Sequence, residues 1–236
     1  MPMHIKEKFP QYWKDDYEEG GKNLFESKLL NTNLNNLKSN NLKSEFFKIT
    51  NFKNGVKLSN NLKQLLQNNL TTIVYNFVDM LSHSKTEMEM IKELASNDKA
   101  YRSLTNSWFL NSPLFEIIKN ASNLGFKLAI TTDHGTINVK NPTKIIGDRN
   151  TSQNLRYKTG RSLTTNEKDN LVFKNPHDIL LPKTSINSSF VFAKDEFYLV
   201  YPNNYNHFSN YFKNTYQHGG VSMEEMIIPF VILDPK

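Results

Sequence analysis

Residues 126–135, FKLAITTDHG, contain the transition on which the predicted fold depends. An apolar segment, LAI, continues into two threonines and then ends abruptly at Asp133, His134 and Gly135. A short apolar run with β-branched residues predicts a buried strand, here over residues 127–132. The strand therefore ends where a carboxylate, an imidazole and a flexible glycine follow one another.

A second run of the same kind, TTIVYNFV at residues 71–78, ends at Asp79. Two helical segments separate the strands; in the second, Ser112 and Pro113 mark the start and Gly125 marks the end. The order strand, helix, helix, strand predicts an α/β fold with a mostly parallel sheet covered by helices on both faces. Such sheets bind ligands beyond the carboxyl ends of their strands, so both strand-end acids are expected at that edge.

The rest of the chain completes the predicted organisation. We divide it into a variable, Asn-rich helical part, residues 1–70, and an α/β part, residues 71–236. The Asn-rich part predicts surface helices with a variable loop, and a specific binding arm is the alternative. Two short strands around the Lys194–Asp195 turn predict a C-terminal hairpin. A capping box at Ser222 and Glu225 predicts a short helix, followed by a proline-interrupted edge strand.

The composition narrows the class of ligand. The 236 residues carry a formal net charge of +6, which favours phosphate-bearing or nucleic-acid partners over acidic proteins. The chain has no cysteine, so any metal must be held by oxygen and nitrogen donors. The start lacks a secretory signal, and no apolar run approaches roughly 20 residues, so we expect a soluble cytoplasmic protein without a membrane span.

Three short motifs supply such donors. Asp79 and His83 lie four residues apart, a spacing that puts both on one face of a first helical turn. Asp133 and His134 are adjacent and can converge only where the strand breaks. His218 is followed by two glycines, which let the backbone approach a ligand closely. This donor set suits zinc or manganese. The alternative is that the acids form caps or turns and that His218 is a turn residue.

A basic stretch follows the Asp-His-Gly motif. Its cations predict either a phosphate or oligonucleotide track beside the metal ligands, or a solvated loop. They are Lys140, Lys144, Arg149, Arg156, Lys158 and Arg161. Two further histidines, His177 and His207, are expected to be structural. The aromatic residues of segment 200–216 are expected to cover a core edge rather than to stack on bases.

Taken in order, Asp-x-x-x-His, Asp-His-Gly and a C-terminal His-Gly-Gly resemble the metal-ligand motifs of the alkaline phosphatase superfamily. Four longer segments are closer still: VYNFVDMLSH, ITTDHGTI, GDRNTSQNLRYKTGR and NTYQHGGVSMEEMIIPF. They look like the PglZ domain of that superfamily, in particular that of PorX-type response regulators of Bacteroidetes, which are linked to type IX secretion. The resemblance covers nearly the whole chain.

The resemblance implies a site with two zinc ions. Asp79, His83 and His218 would hold one ion, and Asp133 and His134 would help to hold the other. It also implies cleavage of nucleotide phosphodiesters by the intact protein, with an oligonucleotide as substrate and signalling or secretion-system proteins as partners. A homodimer is a further expectation.

The family pattern is incomplete in this sequence. The superfamily has an earlier strand with one more Asp ligand and a Thr or Ser nucleophile, and PorX-type proteins have a receiver domain; we identify none of these. We therefore expect the C-terminal part of a PglZ domain that holds about one zinc ion, lacks a catalytic nucleophile and shows little or no phosphodiesterase activity. A catalytically inactive regulatory or interaction module that retains the fold is the alternative.

Overall fold

The computed structural model describes residues 7–12, 24–37, 42–77, 80–81, 88–148, 151–183 and 185–235. The chain divides into two compact units. The first consists of residues 1–29 and 133–228, and the second of residues 30–132 and 229–236. Within the described ranges, no helix combines the length and the apolar character that a membrane span requires.

Helices and short strands are interspersed along the chain. The helices are α1 (Glu26–Asn36), α2 (Phe52–Asn60), α3 (Glu89–Leu94), α4 (Asp98–Leu110), α5 (Pro113–Asn123), α6 (Tyr205–Phe212) and α7 (Met223–Met226), with 3-10 turns at Pro10–Tyr12, Leu62–Gln67 and Pro176–Ile179. The strands are β1 (Ser44–Ile49), β2 (Leu70–Tyr75), β3 (Leu128–Thr131), β4 (Ile137–Val139), β5 (Asn141–Ile146), β6 (Tyr157–Arg161), β7 (Thr164–Thr165), β8 (Asn170–Phe173), β9 (Ser188–Ala193), β10 (Phe197–Val200), β11 (Thr215–Gln217) and β12 (Phe230–Leu233). The predicted mixed α/β class is therefore confirmed.

The unit built from residues 30–132 and 229–236 has a plain apolar core. β1 and β2 form a parallel pair, registered from Ser44 opposite Leu70 to Ile49 opposite Tyr75. β3 and β12 form an antiparallel pair. Side chains from β1, α2, the following 3-10 turn and α5 make up the core, which consists of Ile49, Leu58, Leu62, Leu65 and Ile117. Burial of these side chains removes apolar surface from water and stabilises the unit.

Helix α5 begins and ends close to where the sequence predicts. The Ser112 hydroxyl accepts a hydrogen bond from the Phe115 N–H at 3.3 Å, and Pro113 occupies the first turn. The C-cap is Leu124, and Gly125 follows at φ +87°, a left-handed conformation that glycine adopts without strain. The predicted N-cap is confirmed, and the glycine lies one residue beyond the C-cap.

Strand β1 lies in the part of the chain that the sequence predicts as helical. Its segment, SEFFKI, places two phenylalanines side by side, so it lacks the strict alternation that identifies a half-buried strand. The pairing with β2 supplies the backbone hydrogen-bond partners that the segment needs as a strand. The prediction that residues 1–70 form only helices and loops is therefore wrong at this segment.

The mostly parallel sheet is not shown by the described strands. The pairs β1–β2 and β5–β10 are parallel. The remaining pairs, β3–β12, β4–β11, β5–β7, β6–β9 and β8–β9, are antiparallel. An apolar run predicts a strand but not its partner. β3, in the middle of the chain, pairs with β12, which follows Pro229 near the C-terminal end of the sequence. Direction of pairing is thus decided by segments far apart in sequence.

The other unit contains the sheets β6–β9–β8, β10–β5–β7 and β11–β4. All six residues of β9 are buried. Apolar side chains of β5, β9 and β10 form one buried cluster, Ile145, Val191, Ala193 and Leu199. A second cluster joins β4 and β10 through Ile137, Val139, Tyr198 and Val200. The second cluster holds β4, the strand that follows the Asp-His-Gly motif, against β10.

The predicted C-terminal hairpin is wrong in its pairing, although both strands are present. The Phe197 N–H donates to the Lys194 carbonyl at 2.9 Å, which closes a tight turn between β9 and β10. β9 then pairs with β6 and β8, whereas β10 pairs with β5. Both strands are largely buried, and each finds its ladder partners in a different sheet. The chain therefore passes from one sheet to another at this turn.

The β4–β11 pair brings two loops to the same end of a ladder. Ile137 lies opposite Gln217 in this antiparallel pair. The residues before Ile137 and those after Gln217 therefore leave the ladder at the same end. They are the Asp133–Gly135 turn and the loop that starts at His218, two of the segments predicted to hold metal.

Candidate functional site

Two histidines predicted as metal ligands lie in contact. The rings of His134 and His218 are stacked, with centroids 4.0 Å apart and planes 12° from parallel. Asp133 lies beside His134: its Oδ1 is 3.8 Å from Nε2 of His134 and accepts the His134 backbone N–H at 3.1 Å. The structure thus brings together the ligands predicted from residues 133–134 and from the His-Gly-Gly motif.

The imidazole of His134 is also oriented by its own turn. Its Nδ1 lies 3.0 Å from the Gly135 carbonyl oxygen. When Nδ1 carries the proton and donates it to this carbonyl, Nε2 is the nitrogen that keeps the lone pair. A backbone carbonyl on one ring nitrogen is a common way to present the other nitrogen to a metal. The turn therefore favours the tautomer that a metal ligand requires.

Glycine is the one residue type that fits at position 135, where the turn lies against α7. Its N–H donates to the Glu225 carbonyl at 2.8 Å. A Cβ placed at position 135 would lie 1.9 Å from the Glu224 carbonyl oxygen. Since no side chain tolerates that distance, the glycine permits the backbone of the turn to lie directly against the helix. The sequence predicts this glycine as the site of a strand break, and the structure adds the close approach.

The loop after His218 is held by hydrogen bonds to its backbone. Asn154 donates from Nδ2 to the His218 carbonyl at 3.2 Å. Gly219 has φ +100°, and a Cβ there would lie 3.2 Å from the Tyr157 ring. The Gly220 N–H donates to Oε1 of Glu225 at 2.8 Å. Both glycines therefore occupy positions where a side chain would be strained or crowded.

Glu225 and Arg156 form a buried ion pair next to this loop. Arg156 Nε is 3.0 Å from Oε1 and Nη2 is 2.8 Å from Oε2, and the two side chains are 0% and 1% exposed. Burial by itself raises the pKa of the Glu225 carboxyl, but the hydrogen bonds and charge of Arg156, together with the hydrogen bonds from Gly220 and Ser222, outweigh burial and leave the pKa below its usual value. The predicted capping box of Ser222 and Glu225 is present. Glu225 therefore caps α7 and binds Arg156 as a carboxylate.

Two cations of the predicted phosphate track are buried instead of facing solvent. Arg156 directs Nη1 to the Phe197 carbonyl in addition to its pairing with Glu225. Lys158 is 1% exposed, with Nζ 4.4 Å from the centre of the Tyr201 ring, and burial lowers its pKa to about 8. Side chains in these positions cannot receive an oligonucleotide from solvent, so their assignment to an exposed track is corrected. They also contradict the alternative of a solvated loop.

The other cations of the stretch have partners of their own. Lys140 pairs with Glu196, and Arg161 Nε lies 2.8 Å from Oδ2 of Asp148. Lys144 Nζ lies 4.9 Å from the centre of an aromatic ring, that of Tyr205. Lys140 and Arg161 keep exposed surface, so their role in substrate binding stays a prediction. Arg149 lies outside the described residues.

The remaining predicted ligands, Asp79 and His83, also lie outside the described residues. In the part of the chain that the structure describes, no group of three or more His, Asp or Glu side chains is arranged to hold a metal ion. His177 lies in a 3-10 turn, and His207 lies on α6 with its ring 6.1 Å from that of Tyr211. Neither lies in the His134–His218 contact.

Sequence reasoning missed the residues that hold the two loops. Arg156 was predicted as a solvent-facing cation, Glu225 only as half of a capping box, and Asn154 had no predicted role. Lys158 lies in β6, whereas Arg156 lies in the bend just before that strand. Neither the residue types nor their spacing in the sequence identifies the buried partners of these two cations.

Comparison with known families is consistent with this geometry. The model of the BREX system PglZ alkaline phosphatase-like domain matches residues 1–233. The protein is thus of the alkaline phosphatase-like class. Because the match covers almost the whole sequence, the chain belongs to the PglZ family. A comparison with curated proteins gave no match.

Proposed function

We propose that this PglZ domain is the metal-binding part of a zinc-dependent phosphodiesterase that acts on nucleotide phosphodiesters in the intact protein. The observation that supports the proposal most directly is the contact of His134 with His218 at the end of the β4–β11 ladder. The two imidazoles and the carboxylate of Asp133 next to His134 supply nitrogen and oxygen donors of the types that zinc prefers. Membership of the PglZ family supports a phosphoesterase-like fold.

The described donors fit zinc in chemistry but do not complete a binding group on their own. His134 would present Nε2, since its Nδ1 faces the Gly135 carbonyl. Asp79 and His83 stay in the proposal as ligands predicted from the sequence. When bound, zinc supplies a Lewis acid that stabilises charge on a phosphoryl oxygen. Lys140 and Arg161 are the proposed exposed cations for the phosphate chain.

The proposal extends to the biological setting on the strength of the sequence motifs. We propose a PorX-type response regulator linked to type IX secretion, which acts in the cytoplasm as a homodimer with signalling or secretion-system partners. The nucleophile and the further Asp ligand are proposed to lie outside residues 1–236. The chain by itself is therefore expected to bind zinc with little turnover.

A non-catalytic regulatory or interaction module is the second candidate. The observation that favours it is the burial of Arg156 and Lys158, because a phosphodiesterase needs accessible cations for its substrate and these two are withdrawn from solvent. In such a module the fold and the histidine pair would persist without turnover.

Calorimetric titration of the metal-free chain with zinc tests the metal part of the proposal. We expect uptake of about one ion, weakened at least about tenfold by His218→Ala, because this change removes one of the three ligands proposed for that ion. His207→Ala is the matched control, since the ring of this histidine lies on α6 next to that of Tyr211, and should leave the affinity unchanged. Absence of zinc uptake by the unaltered chain would contradict the proposal.

Hydrolysis of a nitrophenyl phosphodiester separates the two candidate functions. Chain 1–236 should show little or no turnover. Robust turnover that His218→Ala abolishes would overturn this expectation and establish an enzyme complete within these residues. Turnover restored only by a longer protein that carries the nucleophile would support the phosphodiesterase, and none in either protein would support the module.

A further inference from the structure

We infer that Glu225, together with Arg156, is a positioning residue that holds the His218 loop and the Asp133–Gly135 turn in the register needed for metal binding. The inference rests on the proposed function, because it concerns the ligands His134 and His218. It assigns to a buried ion pair a role beyond stabilising the fold.

Each oxygen of the Glu225 carboxylate accepts two hydrogen bonds. Oε1 accepts from Arg156 Nε at 3.0 Å and from the Gly220 N–H at 2.8 Å. Oε2 accepts from Arg156 Nη2 at 2.8 Å and from the Ser222 N–H at 3.2 Å. Two of these four donors are backbone groups of the loop that follows His218. The carboxylate therefore binds the backbone path of that loop directly.

The main chain of the same residue holds the other ligand segment. The Glu225 carbonyl accepts the N–H of Gly135, the residue after His134, at 2.8 Å. Position 135 also admits no Cβ, because one would lie 1.9 Å from the neighbouring Glu224 carbonyl. A displacement of Glu225 must therefore move the Asp133–Gly135 turn, the His218 loop, or both.

Arg156 adds a second connection to His218. Its backbone N–H donates to Oδ1 of Asn154 at 2.7 Å, and Asn154 in turn donates from Nδ2 to the His218 carbonyl at 3.2 Å. The guanidinium also reaches the Phe197 carbonyl, at the start of β10. Arg156 thereby connects the loop to a buried strand, so the ion pair is anchored to a part of the core.

Stability by itself does not explain a buried ion pair at this place. Desolvation of two charges offsets most of their attraction, and well-packed apolar residues of similar volume are often as stabilising. An apolar pair, however, offers no acceptors to the N–H groups of Gly220 and Ser222. Among the described residues, only the Glu225 carboxylate accepts hydrogen bonds from those two N–H groups. It thereby orients the backbone of the loop and places His218.

The test compares a double variant, Arg156→Met with Glu225→Leu, against Glu225→Gln and the exposed control Glu224→Gln. Zinc affinity is measured by calorimetry, and the contact of the two imidazoles by NMR shifts of their ring protons in the metal-free chain. We expect the double variant to keep the far-UV circular dichroism of the fold, to lose the ring-stacking shifts, and to bind zinc 10–100-fold more weakly. Glu224→Gln should match the unaltered chain in both measurements.

Glu225→Gln keeps the side-chain volume but replaces one acceptor oxygen by an NH2 group. It therefore tests the positioning role of Glu225 even when the double variant does not fold. A loss of ring-stacking shifts in a folded Glu225→Gln chain supports positioning. Unaltered shifts and zinc affinity in Glu225→Gln, or in a folded double variant, would overturn it. Absence of zinc binding in the unaltered chain would contradict the proposed function only, since the NMR shifts still report the geometry.

Discussion

Each of the two compact units is stabilised internally by a different kind of contact. The unit of residues 30–132 and 229–236 has a core of aliphatic side chains, among them Ile49, Leu65 and Ile117. Beside its own apolar clusters, the other unit buries the Arg156–Glu225 pair next to its two stacked histidines. Apolar contact is non-directional and tolerates small shifts, whereas a bidentate ion pair with further backbone donors fixes both distance and direction. The difference indicates that the unit with the two histidines requires exact placement of its loops in addition to stability.

The largest effect is expected from breaking the ion pair on one side. Arg156→Met leaves the Glu225 carboxylate buried without its counter-charge and should lower the free energy of unfolding by about 3–5 kcal/mol. Denaturant titration measures the loss, and hydrogen exchange read by mass spectrometry should show faster exchange of the amides of Gly220 and Ser222.

Ile117→Ala is the matching change in the apolar core. It should lower the free energy of unfolding by about 2–5 kcal/mol through lost burial and a cavity. The ring-proton shifts of His134 and His218 should nevertheless stay as they are. If Ile117→Ala disturbs these shifts as strongly as Arg156→Met does, the contrast between the two units is wrong.

An intermediate effect is expected from Gly135→Ala. The new Cβ would meet the Glu224 carbonyl at 1.9 Å, so the turn must move, at a cost of about 1–3 kcal/mol. The zinc affinity should fall with it, as measured by calorimetry. Gly125→Ala is the control: it is strained by its φ of +87° but has open space around it, and should cost about 1 kcal/mol without any change in zinc affinity.

The smallest effect concerns Lys158, whose ammonium is buried over Tyr201. Burial lowers its pKa from 10.5 to about 8 in the folded chain, so between these values the unfolded chain binds more protons. The free energy of unfolding should therefore rise with pH from about pH 8 to 9.5, by about 1 kcal/mol per unit.

Urea titrations of the unaltered chain and of Lys158→Met across this range measure the slope. Lys158→Met should be more stable than the unaltered chain at pH 7 and should lack the rise. Lys140→Met, which removes an exposed lysine, should keep it. A rise that persists in Lys158→Met would show that another group is responsible.

Much of the local structure could be predicted from the sequence. The Ser112 cap, the start of α5 and the β-character of 128–131 follow from side chains within a few residues of one another. The ligand types in the Asp-His-Gly and His-Gly-Gly motifs could also be read directly, and the PglZ resemblance was confirmed. The pairing of the strands could not be predicted, because it depends on partners elsewhere in the chain; the predicted mostly parallel sheet is therefore not shown, and the predicted hairpin is wrong.

By itself, the sequence determined the residue types at the candidate site and the local turns that carry them. Propensity, caps and glycine freedom act over a few residues, so short segments contain that information. Only the tertiary structure decided that Arg156 faces Glu225, 69 residues later, and that Asn154 reaches His218, 64 residues later. An arginine has the same chemistry on a surface and in a core; which of the two it occupies is decided by whether a distant carboxylate is brought within hydrogen-bonding distance of it.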